Sequence, residues 1–251
     1  MEEIKKIMST NSYQGSYFKK RKGISSISAE ITLQKLSKFF NFSSVVDFGC
    51  GTGTWLAACQ NMGVNKILGF DHYAKESELL IERKYFRKKS LAEKISLDEK
   101  FDLAISLEAA EHVEQIFADT IIENLTNASD VILFSAAIPG QGGTNHVNEQ
   151  PPEFWQKKFM KFNYTQLDII RPIIWDEPAV AWWYKQNIFL YVHAESIEAL
   201  KLPDHPNLFA QKHIVHPECL ISKITEIDID NASVSNLSKA LLKRIKKKLV
   251  S

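Results

Sequence analysis

Two carboxylates and a histidine stand together in the run Glu108-Ala109-Ala110-Glu111-His112. If Glu108 opens a helix, Glu111 and His112 follow three and four residues later, so all three side chains project from one face. An imidazole with an unperturbed pKa of about 6.5 suits a general base at neutral pH. A neighbouring carboxylate, from Glu108 or Glu111, would orient the ring. The run therefore predicts proton transfer centred on His112.

A second histidine, His146, lies in a long polar loop, residues 139–152. Loops of this length without secondary structure of their own are usually functional or disordered. We expect the loop to face the substrate, with ordinary turn chemistry as the alternative. Its polar side chains exceed what a simple connection requires: His146, Asn148, Glu149 and Gln150.

Apolar runs precede both groups, at residues 101–107 and 130–138. Near-continuous apolar runs are typical of parallel strands that are covered on both faces. In an open doubly wound sheet, ligands bind beyond the carboxyl ends of the strands, where the strand order reverses. The carboxylates and histidines are therefore expected at the ligand-binding edge of such a sheet.

A glycine-rich loop follows a third apolar run, residues 44–48, and leads into the helical pattern of residues 55–62. Its three glycines allow a sharp turn and a close approach of the main chain to a ligand. The spacing is G-x-G-x-G, whereas the dinucleotide fingerprint needs its third glycine one residue later. We interpret the stretch as a cofactor loop; a tight turn with an incidental acid is the alternative.

Two aspartates flank this loop. Asp47 lies near the end of the strand, and Asp71 closes the next apolar run about one β-α-β half-unit later, as a ribose-binding carboxylate should. The pattern D-x-G-x-G-x-G with a following acid resembles the class I S-adenosylmethionine (SAM) methyltransferases. The resemblance implies an α/β, Rossmann-like fold: a seven-stranded doubly wound sheet with an antiparallel last strand.

The resemblance also implies the cofactor contacts. The three glycines would line the methionine part of SAM, Asp47 would support its ammonium group, and Asp71 would take the ribose hydroxyls. Where the family often has an acid for the adenine amine, this chain has Ser90, whose hydroxyl or backbone would serve. The expected cofactor-binding residues are Asp47, Gly49, Gly51, Gly53, Asp71, His72, Ser90 and Leu107.

The catalytic set expected around the transferred methyl group is His112, Glu111 and His146. E-x-x-E-H with a downstream histidine resembles the metal site of small-RNA 3′-end 2′-O-methyltransferases, which implies magnesium or manganese. A metal-free histidine base and a structural or cofactor-contacting role are the alternatives. The residues that would match the metal ligands are Glu108, Glu111, His112 and His146.

Residues 40–220 also resemble a bacterial group of methyltransferases encoded with surface-polysaccharide biosynthesis. The resemblance is carried by residues 106–112, 142–150 and 182–187. It implies O-methylation of a sugar hydroxyl, on a nucleotide-activated hexose or heptose, in capsule or lipopolysaccharide biosynthesis. Metal-dependent RNA 2′-O-methylation and a non-catalytic SAM-binding regulator remain as alternatives.

The composition narrows the choice of partners. A net charge of +1 over 251 residues makes a nucleic-acid substrate unlikely, since such binders usually carry a basic patch. Three cysteines without metal spacing argue against a disulfide framework. With no apolar signal core and no run of about eighteen apolar residues, the sequence predicts a soluble, cytoplasmic protein. It does not indicate an oligomeric state.

We expect three regions along the chain. Residues 1–40 hold a polar segment, solvated or acting as a lid, and a helix capped by Ser25 or Ser26. Residues 41–194 form the methyltransferase core. Residues 195–251 form an extension that ends in a basic amphipathic helix at residues 237–250. This helix is expected to pack on its own domain, with weak contact to an acidic membrane surface as the alternative.

Overall fold

A computed structural model describes residues 11–202, 214–227 and 238–239 of the chain. The chain divides into two compact units, residues 1–214 and 215–251. The predicted basic helix at residues 237–250 lies outside the described residues except for Ser238 and Lys239. Within the second unit, a helix spans Pro217–Ile227.

The first unit is built on a seven-stranded sheet of order β3-β2-β1-β4-β5-β7-β6. Strands β1 to β5 pair in parallel, and β7 runs antiparallel to both β5 and β6. The fold class expected from the sequence, including the antiparallel last strand, is therefore confirmed. The strands are β1 (Ser44–Phe48), β2 (Lys66–Asp71), β3 (Phe86–Lys88), β4 (Leu103–Leu107), β5 (Val131–Ser135), β6 (Tyr164–Leu167) and β7 (Phe189–His193).

Hydrophobic layers cover both faces of the sheet because successive residues of a strand point to opposite sides. Val45 belongs to one layer and Val46 to the other. Every residue of β1, β4 and β5 is buried, which explains their near-continuous apolar runs. The helices of the first unit are α1 (Asn11–Leu36), α2 (Thr54–Asn61), α3 (Ala118–Ala128), α4 (Pro152–Met160), α5 (Arg171–Ile174) and α6 (Trp182–Asn187).

The expected N-terminal helix is longer than its sequence pattern suggested. It begins at Asn11, so Ser25 and Ser26 lie inside it and the predicted cap was wrong. Ser28 explains part of the continuity: its hydroxyl donates to the Ile24 carbonyl at 2.7 Å and accepts from the Ala181 amide at 3.0 Å. The helix is thereby anchored to the segment before α6.

Two of the connections between strands contain short 3₁₀ turns. Residues 75–82 hold only a 3₁₀ turn at Glu76–Glu78, because the chain then extends over the glycine loop. There the Leu80 amide donates to the Thr52 carbonyl at 2.8 Å. Helix α3 begins at Ala118, after extended backbone at Val113 and a 3₁₀ turn at Gln115–Phe117.

Three aromatic residues begin α6: Trp182 and Trp183 are half-buried, and Tyr184 belongs to the core. Tyr184 is buried and packs edge-on against Trp55, with ring centroids 5.2 Å apart. Cys50, Cys59 and Cys219 are buried, and no disulfide joins any two of them. Among the described residues, no helix combines the length and apolarity needed to cross a bilayer.

Candidate active site

The glycine loop lies between β1 and α2, and its glycines Gly49 and Gly51 have different surroundings. Gly49 has φ +87°, and a Cβ built there would lie 2.4 Å from the Cβ of Ala109. Gly51 has φ +53°, but a Cβ there would meet nothing within 4 Å. The loop is therefore packed tightly on one side and open at Gly51, where a ligand has room.

Two acids support this loop. Asp71, at the end of β2, accepts the Gly51 amide at 2.9 Å and the Tyr73 and Ala74 amides at 2.7 and 2.8 Å. Asp47 is 2% exposed. Burial is the main cause that raises the pKa of Asp47 well above the usual value, and the negative charge of Asp71 is the second. A cationic ammonium group placed beside Asp47 would offset the cost of burying this carboxylate.

The other expected cofactor residues lie at the carboxyl edge of the sheet. His72 is exposed and packs edge-on against Tyr73, with centroids 4.8 Å apart. The Ser90 hydroxyl accepts the Ala92 amide at 3.2 Å. Leu107 ends β4 and is buried. This edge is where ligands bind in doubly wound folds.

Glu108 follows β4 but does not open a helix, so that premise of the sequence argument was wrong. Its φ of +51° is rare for a side-chain-bearing residue, and the 3₁₀ turn begins at Ala110. The two carboxylate oxygens accept the Asn187 amide at 3.0 Å and the Gln141 amide at 2.9 Å. Burial raises the pKa of Glu108, and hydrogen bonds from these two amides and from Ser135 offset part of the increase.

Glu111 is the most deeply buried acid of the run, at 1% exposed. Its Oε2 has no hydrogen-bond partner among the described residues. Burial, and then the charge of Glu108, raises its pKa well above the usual value. The Glu111 carbonyl accepts the Val147 and Asn148 amides at 2.9 and 3.1 Å, which fastens the polar loop to this turn.

The structure brings His112 and His146 together. Their rings meet edge-to-face with centroids 5.0 Å apart. Glu111, His112 and His146 each offer one nitrogen or oxygen atom that could bind a ligand, and these three atoms lie within 4.8 Å of one another. The expected catalytic trio is thus a spatial cluster, although its members come from two loops.

Each imidazole has an acceptor beside Nδ1. His112 Nδ1 lies 3.3 Å from the Asn145 carbonyl, and His146 Nδ1 lies 2.9 Å from Glu149 Oε1. An Nδ1–H that donates to these oxygens leaves the lone pair on Nε2 of each ring. The orienting groups are therefore Asn145 and Glu149, which the sequence argument did not assign.

Glu149 is itself fixed in place. Its carboxylate accepts the Gly140 amide at 2.8 Å and the Gly142 amide at 2.6 Å. Partial burial alone would raise its pKa, but hydrogen bonds from His146 and these two amides outweigh burial and place the pKa below the usual value. The residue is thus charged at neutral pH, beside His146.

Sequence reasoning assigned no supporting role to four residues: Gln141, Asn145, Glu149 and Asn187. The i, i+3 spacing of His146 and Glu149 was a usable signal, because one turn brings such residues together. No comparable signal existed for the contacts of Glu108, whose partners lie 33 and 79 residues away.

Comparison with known proteins supports this reading of the fold. Residues 21–133 match a family described as a methyltransferase domain. The comparison with curated proteins gave no match. Streptomyces venezuelae DesVI is 12% identical, over 72% of this chain and 97% of that one, with a TM-score of 0.51.

A second solved structure is the plantazolicin methyltransferase BpumL in complex with a triazolic desmethylPZN analogue and SAH. It is 13% identical, over 71% of this chain and 88% of that one, with a TM-score of 0.50. At these identities the likeness shows the fold alone. The chain therefore shares the fold of these solved structures, and its residues 21–133 are similar to a methyltransferase domain.

Proposed function

We propose that this protein is an O-methyltransferase that transfers the methyl group of SAM to a sugar hydroxyl. The observation that carries the proposal is the cluster of Glu111, His112 and His146 at the same sheet edge as the glycine loop. Methylation of an oxygen requires removal of a proton, and an imidazole can accept it. A methyltransferase domain with such groups beside the cofactor loop suits a hydroxyl acceptor.

The cofactor fits the residues present. Gly51 leaves open space, and the buried Asp47 can support an ammonium group. Asp71 lies at the end of β2, as a ribose ligand should, and it also holds the Gly51 amide. When bound, SAM supplies a methyl group on a positively charged sulfur, which makes that methyl reactive.

The chain's own residues then position the acceptor and move its proton. The Nε2 lone pairs of His112 and His146 are the groups that can take a proton from a hydroxyl. Glu149 orients the His146 ring, and its negative charge stabilises the imidazolium that forms. The side-chain amides of Gln141 and Asn187 hold the Glu108 carboxylate in place.

Several observations support a sugar as the acceptor. The polar loop and α6 match the residues that resemble surface-polysaccharide methyltransferases. Both segments lie beyond residues 21–133, outside the part of the chain that is similar to the shared domain. The net charge of +1 also favours a small acceptor over a polynucleotide, whose phosphates would require a basic surface.

The experiment that tests the proposal measures labelled methyl incorporation from SAM into a panel of nucleotide-activated hexoses and heptoses, with short RNA as a parallel substrate. We expect incorporation into a nucleotide-sugar and none into RNA. Incorporation into RNA alone would favour RNA 2′-O-methylation. SAM binding without turnover of any acceptor would favour a regulator. Asp71→Ala is the control that should lose incorporation with every acceptor.

A further inference from the structure

We propose that Glu111 and Asn148 bind the acceptor through the hydroxyl next to the one that is methylated, so that they select acceptors with two neighbouring hydroxyls. The two residues belong to different segments, the turn after β4 and the loop after β5. Hydrogen bonds from the Val147 and Asn148 amides to the Glu111 carbonyl, at 2.9 and 3.1 Å, bring these segments together. The assignment rests on the function proposed above and gives both side chains a role in it.

Each of the two side chains carries a buried polar atom whose hydrogen-bonding capacity is unused. Glu111 is 1% exposed and Asn148 is 2% exposed. In the part of the chain that the structure describes, neither Glu111 Oε2 nor Asn148 Nδ2 has a hydrogen-bond partner. Such atoms are rare in native proteins, because burial removes the contacts with water that a polar atom otherwise makes. A ligand that supplies both missing partners removes this cost of burial.

Contacts within the loop fix the orientation of the Asn148 side-chain amide. Gln150 Nε2 donates to Asn148 Oδ1 at 3.0 Å and to Gln115 Oε1 at 3.2 Å. Gln150 thus holds the oxygen of the Asn148 amide and leaves its nitrogen as the unused atom. The unused pair is therefore an acceptor on Glu111 and a donor on Asn148.

The opposite polarity of the two atoms selects a hydroxyl as their ligand. A carboxylate oxygen accepts hydrogen bonds, an amide nitrogen donates them, and a hydroxyl does both. One hydroxyl of the acceptor can therefore donate to Glu111 and accept from Asn148. An ether oxygen at the same place would leave Glu111 without a donor, and an ammonium group would leave Asn148 without an acceptor.

The distance from Glu111 to the imidazoles accounts for the second hydroxyl. A carboxylate oxygen of Glu111 lies within 4.8 Å of a ring nitrogen of His112 and of one of His146. A hydroxyl bound to this carboxylate at about 2.7 Å brings the hydroxyl on the next carbon atom within reach of an imidazole. The imidazoles keep their role as proton acceptors, and Glu111 and Asn148 orient the acceptor for transfer.

The test measures binding of free hexoses to the full chain saturated with S-adenosylhomocysteine, by saturation-transfer-difference NMR. The probes are glucose, galactose and mannose, each beside its monodeoxy analogues. We expect at least one hexose to bind, and the loss of one of its ring hydroxyls to abolish the signal. A site built to bind a hydroxyl rejects the analogue that lacks it, because the buried polar atoms are then left unpaired.

Two variants keep the shape of the site and change its polarity. Asn148→Asp keeps the oxygen that Gln150 contacts but replaces the donor with a second acceptor. Glu111→Gln keeps the size of the buried side chain and replaces one acceptor oxygen with a donor. Both variants should lose hexose binding. Asn127→Asp, the same exchange at an exposed residue of α3, is the matched control and should bind hexose as the wild type does.

Wild-type protein that binds no hexose up to about 10 mM would overturn the proposal. So would equal signals from a bound hexose and all its monodeoxy analogues, or wild-type binding in both folded variants. Near-ultraviolet circular dichroism checks folding, and the comparison with deoxy analogues needs only the wild type. The measurement requires no methyl transfer. A hexose that binds in this way but accepts no methyl group would therefore contradict the proposed function alone.

Discussion

Glu149 Oε1 lies 2.9 Å from Nδ1 of His146, and both residues belong to the loop that follows β5. Amides of the same loop, from Gly140 and Gly142, hold the carboxylate. Carbonyl contacts from Glu111 fasten the loop to the turn after β4. This pair therefore converts a long polar connection into a rigid support for one imidazole.

The first prediction concerns this pair. Glu149→Gln keeps the shape and one acceptor oxygen but removes the charge that stabilises an imidazolium. We expect turnover to fall by about 10- to 100-fold while SAM affinity is unchanged. Steady-state kinetics and calorimetry would measure the two quantities. Glu195→Gln, an exposed substitution, is the control. Normal turnover in Glu149→Gln would show that His146 needs no charged partner.

The second prediction separates cofactor binding from loop support at Asp71. Asp71→Ala should weaken SAM binding by about 1–3 kcal/mol, since it leaves a charged hydrogen bond unmade. It also removes the acceptor of the Gly51 amide. Asp71→Asn keeps an acceptor for the Gly51 amide. Any loss of SAM affinity that remains in Asp71→Asn therefore measures the contact with the ribose. Calorimetry that finds wild-type affinity in folded Asp71→Ala would rule out Asp71 as the ribose ligand.

The third prediction contrasts two glycines of the same loop. Gly49→Ala places a methyl group 2.4 Å from Ala109 Cβ, so we expect a clear loss of thermal stability. Gly51→Ala meets no atom within 4 Å. It should therefore fold with only the modest cost of a positive φ, yet lose SAM affinity because its methyl group enters the open space. A Gly51→Ala protein with full affinity would place the cofactor elsewhere.

The fourth prediction concerns pH and Asp47. Because the pKa of Asp47 is raised in the folded chain, the folded chain keeps this proton at pH values where the unfolded chain has released it. The free energy of unfolding therefore falls as the pH rises from the pKa of Asp47 in the unfolded chain to its pKa in the folded chain. Asp47→Asn should therefore raise the thermal midpoint at pH 7–8, and the gain should disappear below about pH 4. Melting curves across this range test it; a pH-independent difference would contradict it. The same variant should bind SAM more weakly.

The fold could be predicted from the sequence because the hydrophobic pattern of each strand directly reflects the burial of that strand in the sheet. Buried strands such as residues 44–48 produce continuous apolar runs, and the glycine loop follows from spacing alone. The prediction of a helix cap at Ser25 or Ser26 was wrong because contacts with residues distant in sequence override the local capping preference. The Ser28 hydroxyl, for example, serves an amide 153 residues away.

The candidate site was only partly predictable. His112 and His146 were identified from residue type and from the segments that carry them, but the relation of His112 to Glu108 was inferred from an assumed helix. The structure instead bends the chain at Glu108 through a positive φ. The clamp by Gln141 and Asn187 joins three segments that are distant in sequence, and a periodic pattern cannot encode such contacts.

The central claim is that one edge of this sheet moves a methyl group from SAM to an oxygen, with His146 in the reacting site. The most direct measurement follows ¹³C-methyl-labelled SAM by NMR with a nucleotide-sugar acceptor, in wild type and His146→Ala. Our account predicts a methyl ether signal in the wild type and at least a 100-fold slower appearance in the variant, the usual size of a general-base contribution. A label on nitrogen or carbon, or an unchanged rate in folded His146→Ala, would contradict it.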